Sequence, residues 1–439
     1  MTPTPVDLLI EARYIIPVEP RDTTLEHHAI AIRNGRIEAL LPIEQARSRF
    51  SATETVSLPE HILTPGLVNL HCHAAMSLMR GLADDLPLMR WLQEAIWPAE
   101  ARHASPAFVR DGSLLAGAEM LRGGITTCND MYFFPQATAE AFDRLGLRAV
   151  LGITVIEFPS QYASDADDYL TKGLATREAW RDDPLIRFAL APHAPYTVSD
   201  RSFERIGTLA EELELPIHIH IHETAEEIET SLREHGKRPI QRLDELGLLG
   251  PGLIGVHAVH LDTGDIEQLT RQECAIAHCP TSNMKLASGA APIKPLLDAG
   301  LAIGLGSDGA ASNNRLDLWR EMHQASLLAK LTNQDASAVP AHEALRMATL
   351  HGARALGLDN TIGSLLPGKA ADLCAMRIDA PDTLPLYEAA SHLIYVLGRH
   401  AVSDVWINGQ PRVRGGELLQ ISNTELLSIA RLWQNKLRQ

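Results

Sequence analysis

From about Thr64 onward the sequence alternates, eight times over, between a short apolar run and an amphipathic stretch. The runs occupy residues 66–71, 125–130, 148–155, 186–192, 216–222, 253–259, 274–279 and 302–308. Between the first two lies a long helix-like stretch, 105–122, with Ser105 placed to cap its start and Gly123-Gly124 to end it. Strand-then-helix repeated in this way predicts an α/β chain built on a (β/α)8, or TIM, barrel. A doubly wound open sheet shares the alternation, but it gives no reason for polar residues at every strand end. The flanks read differently. Asn34-Gly35 sits between AIAIR and RIEAL, a hairpin signal, and a second Asn-Gly falls in VSDVWINGQPRV. Both ends are short-stranded and turn-rich, so residues 1–62 and 363–439 are expected to form one small composite β-sandwich module beside a barrel of residues 63–362.

Composition excludes several classes of protein. The chain carries a formal charge of −16, opposite to the basic footprint that nucleic-acid binding needs. No apolar run approaches the ~18 to 20 residues of a membrane-spanning helix, and the first residues carry no basic start followed by an apolar core. Five cysteines, none in a C-x-x-C pair, suit a reduced cytoplasmic chain better than a disulfide framework. The expected ligand is a small molecule, with neither nucleic acid nor membrane as partner.

The chemistry concentrates at strand ends. Asn69-Leu70-His71-Cys72-His73 closes the first strand, and residues two apart in a strand share a face. His71 and His73 therefore project together at the carboxyl end, where barrel active sites lie. The fifth strand, PIHIHIHET, sets His218, His220 and His222 against Ile217, Ile219 and Ile221. Isoleucine suits the helix-packed side, so the three histidines are expected to face inward, where unpaired imidazole is costly. His257 and His260 end the sixth strand, His278 the seventh and Asp308 the eighth, while His193 follows the fourth. Some of these must be orienting partners of ligands rather than ligands themselves.

The motifs TPGLVNLHCHAAMSLMRG, HIHETAEE, VHAVHL, AHCPTSNMKL and GLGSDGAASNN resemble the motif series of the amidohydrolase superfamily. They are most similar to the branch that holds the methylthioadenosine/S-adenosylhomocysteine deaminases and the triazine chlorohydrolases. The resemblance spans the chain, including GSLLPGKAADL at the return to the terminal module. It implies that His71, His73, His220 and Asp308 bind one divalent metal, zinc by its ligand set, with iron or manganese also accommodated. It further implies Glu223 as proton shuttle, His257 as holder of the attacking water, and Asp308 as a second orienting group that helps protonate departing ammonia. Two-metal relatives carry a lysine at the end of strand four; the segment IRFALAPHAPY has none, which implies a single metal.

By the same resemblance Glu100 grips ribose hydroxyls, His193 contacts a purine, and Glu223 and Asp308 face the reacting ring. The implied reaction is hydrolytic deamination of an adenine nucleoside, 5′-methylthioadenosine or S-adenosylhomocysteine. Triazines or guanine are the alternatives on the same machinery, and a non-catalytic scaffold would be expected to lose ligands that are all present here. Met76, Met79, Met89, Trp91 and Trp97, in the connection after strand one, are candidates for a methylthio pocket or for helix core. A homodimer or larger homo-oligomer is expected by family analogy alone.

Overall fold

The computed structural model describes residues 3–438 and contains two eight-stranded sheets. All eight expected barrel strands form: Leu67–Cys72, Ile125–Asp130, Arg148–Val155, Ile186–Pro192, Ile217–Ile221, Leu253–His257, Ala275–His278 and Ala302–Leu305. They pair in sequence order, and every neighbouring pair is parallel. Helices intervene between successive strands, as in Pro106–Arg122, where Ser105 accepts a hydrogen bond from the Phe108 amide and Gly123 ends the helix. Ile217, Ile219 and Ile221 share a core with the helix residues Phe203, Ile206 and Leu243. Among the described residues no helix is long and apolar enough to cross a membrane.

The eighth strand meets the first through side chains and small residues rather than a ladder. Asn69 accepts the Ser307 amide at 2.9 Å and donates to Ser307 Oγ at 2.7 Å, and the Asp308 amide donates to the His71 carbonyl at 3.0 Å. Gly306 permits this approach: a Cβ there would lie 2.8 Å from both Cys279 Sγ and His71 Cβ. Gly306→Ala is expected to cost about 1–3 kcal/mol through overpacking. A lower urea midpoint together with faster metal loss to a chelator would register the change.

The second sheet takes strands from both flanks. Its order is Glu417–Leu418, Gln410–Arg414, Val402–Ile407, Leu373–Arg377, Phe50–Pro65, Thr4–Ile15, Leu25–Arg33 and Arg36–Pro42. Alternate residues Leu8, Ile10 and Ala12 share one core with Leu373, Ala375 and Trp406, so the sheet curls onto itself. The two Asn-Gly turns have positive φ at both residues (51° and 75°; 50° and 69°), as hairpins of this length require. They also touch: a Cβ on Gly35 would meet the Asn408 carbonyl oxygen at 2.7 Å. Two late helices, Ala389–Tyr395 and Asn423–Leu437, lie against barrel helices instead of within the sheet. Trp433 on the last one donates to Asp111 at 2.8 Å. Residues 1–2 and 439, the extremes of the expected module, lie outside the described residues.

Candidate active site

Four ligand-type atoms converge where the first, fifth and eighth strands end. His71 Nε2 and His73 Nε2 lie 3.3 and 3.4 Å from Asp308 Oδ1, and His220 Nε2 lies 3.2 Å from His71 Nε2. The opposite ring edges decide what these atoms present. His73 Nδ1 donates to the Met131 carbonyl at 2.6 Å and His220 Nδ1 to the His193 carbonyl at 2.7 Å. A carbonyl only accepts, so each Nδ1 carries the proton and each Nε2 of the neutral ring offers a lone pair. Burial drives the His220 pKa well below its ordinary value and that of His71 down to about 3, so both rings are neutral. Lone pairs and a carboxylate oxygen at such spacing repel unless a cation lies between them. Tetrahedral bonds of ~2.0–2.1 Å to nitrogen and oxygen would set the ligands about 3.3 Å apart, so the donor set fits zinc.

The remaining supports are short and local. Asp308 Oδ2 accepts from Ser282 Oγ at 2.6 Å and Ser312 Oγ at 2.9 Å, while its Oδ1 accepts the Gly309 amide at 2.8 Å. Burial works against this carboxylate. The close approach of the His71, His73 and His257 rings outweighs it and holds the pKa well below the usual range. His71 Nδ1 lies 3.0 Å from His218 Nε2, which makes His218 an orienting partner within the barrel.

Two backbone reversals sort the other histidines. By strict alternation His222 would share the inward face of His218 and His220, as expected from the sequence. The strand instead stops at Ile221, and His222 takes φ 51°. Its ring turns away, to the Ile240 amide at 3.1 Å and the His260 carbonyl at 3.2 Å. The expectation that all three histidines face inward fails here. His257 does the reverse. Its register partner is Ile221, on the helix-packed face, but φ 72° swings the ring into the site, where it stacks on His220 at 5.4 Å. Left-handed conformations are strained for such residues and gather at functional sites. His260 donates to the Ser288 carbonyl at 2.8 Å, outside the ligand cluster. His278 is buried on the face of Ile276, has no hydrogen-bond partner on either nitrogen, and does not line the cleft.

The cluster floors a cavity of about 370 Å³ that is also lined by Glu223, His257, His193 and Glu100. Glu223 Oε2 stands 3.8 Å from His257 Nε2, and burial raises the Glu223 pKa. His257 Nδ1 meets Asn283 Oδ1 at 2.8 Å, an acceptor, so Nε2 faces the site with its lone pair. His193 Nδ1 lies 3.1 Å from Thr197 Oγ1. Glu100 accepts a hydrogen bond from Tyr132 Oη at 2.7 Å, and burial pushes its carboxyl up to about 7. It is a cavity residue rather than a surface acid. Met76, Trp91 and Trp97 also line the cavity; Met79 is buried in the core and Met89 does not reach the cleft. Among the described residues the groupings with metal-ligand geometry are His71, His220 and His257, and His71, His73 and Asp308, which have His71 in common.

The family model described as the amidohydrolase family matches residues 62–412. The chain belongs to the amidohydrolase family. A 5-methylthioadenosine/S-adenosylhomocysteine deaminase of Saccharophagus degradans is 46% identical over 435 residues, covering 99% of this chain and 98% of that one. A zinc-bound adenosine deaminase of Xanthomonas campestris superposes with a TM-score of 0.98 at 48% identity, covering 99% of both chains. An atrazine chlorohydrolase of Arthrobacter aurescens, complexed with zinc, has a TM-score of 0.91 at 25% identity over 97% of this chain and 99% of that one.

Several groups that build the site in this amidohydrolase escape a reading of spacing. Ser282 and Asn283 begin the helix Pro280–Lys285 inside the AHCPTSNMKL motif, yet their partners are 26 residues away in sequence. Glu227, inside HETAEE, accepts the amides of His222 at 2.9 Å and Glu223 at 2.8 Å, and so fixes the turn that presents Glu223. Tyr132, two residues past the second strand, is legible only as the partner of Glu100.

Proposed function

We propose that this amidohydrolase hydrolyses the amino group of adenine nucleosides, 5′-methylthioadenosine or S-adenosylhomocysteine, giving the inosine analogue and ammonia. The convergence of His71, His73, His220 and Asp308 beneath Glu223 and His257 carries this reading, and the chain's similarity to deaminases along nearly its whole length supports it. One divalent zinc would be held by those four side chains. Bound there, it would supply Lewis acidity sufficient to lower the pKa of a coordinated water toward ~7.

The protein's own residues do the rest. His257, its Nδ1–H spent on Asn283, receives a proton of the attacking water through Nε2. Asp308, charged at rest and anchored by two serines on Oδ2, orients the same water with Oδ1, takes its second proton and passes it to the departing amine. Glu223 delivers a proton to the ring nitrogen beside the amino-bearing carbon, so that negative charge does not accumulate there. A C–O bond forms and the C–N bond breaks; of the two water protons, one is balanced by the proton on the ring nitrogen and the other leaves on ammonia. His193 faces the ring from the fourth strand. Glu100 accepts hydrogen bonds from the ribose diol while Tyr132 holds its other flank. Triazine or guanine chemistry would use the same floor but has no need of Glu100. Ammonia release from methylthioadenosine, adenosine, guanine and an aminotriazine, measured side by side, tests the assignment; inactivity on both nucleosides would remove it.

The Glu100 contact has a pH signature. With its pKa near 7, the carboxylate is the majority form above neutrality and becomes protonated below it. KM for nucleosides is therefore expected to rise as pH falls through 7. Glu100→Gln should raise KM by ~10- to 100-fold through loss of charged hydrogen bonds, and KM should no longer follow pH. An unchanged KM profile in the variant would remove Glu100 from the ribose site.

A further inference from the structure

Resting on that reading, we infer that the roof of the cavity makes this protein selective for nucleosides with a short neutral 5′ substituent and turns away those with an amino-acid tail. The diol carbons and the 5′-carbon belong to one furanose, so a substrate gripped by Glu100 places its 5′ group beside the helix Trp97–His103. There the mouth of the cavity is bordered by the loop after the third strand. Trp97 and Phe158 meet edge to face with ring centroids 6.5 Å apart, and Gln161 Nε2 donates to the Ala101 carbonyl at 3.1 Å. The loop is fastened from below as well: Tyr169 Oη donates to Ser160 Oγ at 2.5 Å, and Glu157 accepts from Ser199 and Ser202 at 2.6 and 2.7 Å. This is a held roof, faced by aromatic rings.

Charge sharpens the choice. No lysine or arginine is found among the described residues that line the cavity, whose charged side chains are the carboxylates Glu100, Glu223 and Asp308. A methylthio group buries its polarisable sulfur against aromatic rings. The α-carboxylate of adenosylhomocysteine would meet aromatic rings at this end of the cavity with no lysine or arginine among the described lining residues to pair with it.

The test uses the full-length zinc enzyme, with initial rates and calorimetric binding for 5′-methylthioadenosine and S-adenosylhomocysteine. The expected kcat/KM ratio is at least ~100-fold in favour of methylthioadenosine, the scale of one unpaired buried charge. Phe158 is 44% exposed, so Phe158→Arg is compatible with the fold. It should improve adenosylhomocysteine turnover by roughly tenfold through a charge-assisted contact while weakening methylthioadenosine. A wild-type ratio under tenfold, or a ratio unmoved by Phe158→Arg, overturns the inference and leaves the deaminase reading intact. Absence of ammonia release from both, with methylthioadenosine still binding the more tightly by the same margin, sinks the deaminase reading and supports the roof. Equal binding of both compounds, or binding of neither, overturns the inference.

Discussion

Glu223→Gln is expected to lower kcat by ~10²- to 10⁴-fold, the usual cost of deleting a positioned general acid, with little change in KM or metal content. The glutamine keeps the volume and one hydrogen-bond acceptor but cannot cycle a proton. Geometry makes the effect specific. Glu227 pins the backbone of residues 222 and 223, the carboxylate is buried, and its neighbours within reach are His257 Nε2 at 3.8 Å and Ser288 Oγ at 3.5 Å. No second carboxylic acid stands in position to replace it, since Asp308 is held in its charged form. Single-turnover ammonia release separates this from a binding defect. Turnover within a few-fold of the wild type would end the shuttle assignment.

Chelator treatment should abolish turnover, and one equivalent of zinc should restore it. The stripped protein should also be less stable, because His220 and His71 Nε2 are left 3.2 Å apart, with Asp308 Oδ1 3.3 Å from His71 Nε2 and 3.4 Å from His73 Nε2. At a thousandfold excess of metal over its Kd, the holo form gains about 4 kcal/mol by mass action, visible as a higher Tm that depends on zinc concentration. His220→Ala should remove both effects together. A stripped sample with full activity and an unchanged Tm would show that the cluster holds no catalytic ion.

The barrel strands were legible because each is a short apolar run bounded by turn residues, and the observed limits fall within a few residues of those expected. The convergence of His71 and His73 beside Asp308 was legible because two-residue spacing survives to the strand's end. His222 and His257 were not, and for one physical reason. His257 takes a positive φ at the last position of its strand and His222 one residue beyond the end of its own, which inverts the alternation that sequence reading depends on. His222 leaves the inward face and His257 joins it. Strand-end position singled out His257 together with His260, and the resemblance alone chose between them. Asn283, Ser282, Ser312 and Glu227 were illegible because a hydrogen bond between distant segments leaves no period in the sequence.

The meeting of the two Asn-Gly turns bears on how the chain is made. Strands from the first 65 residues pair with strands that begin at Leu373, so about 300 residues of barrel must emerge from the ribosome between the two halves of one sheet. The barrel is an insert within the sequence of its neighbour, and Phe50–Pro65 has no partner along its Leu373–Arg377 edge until the carboxy-terminal strands are made. Completion of that sheet therefore depends on the last part of the chain to be synthesised.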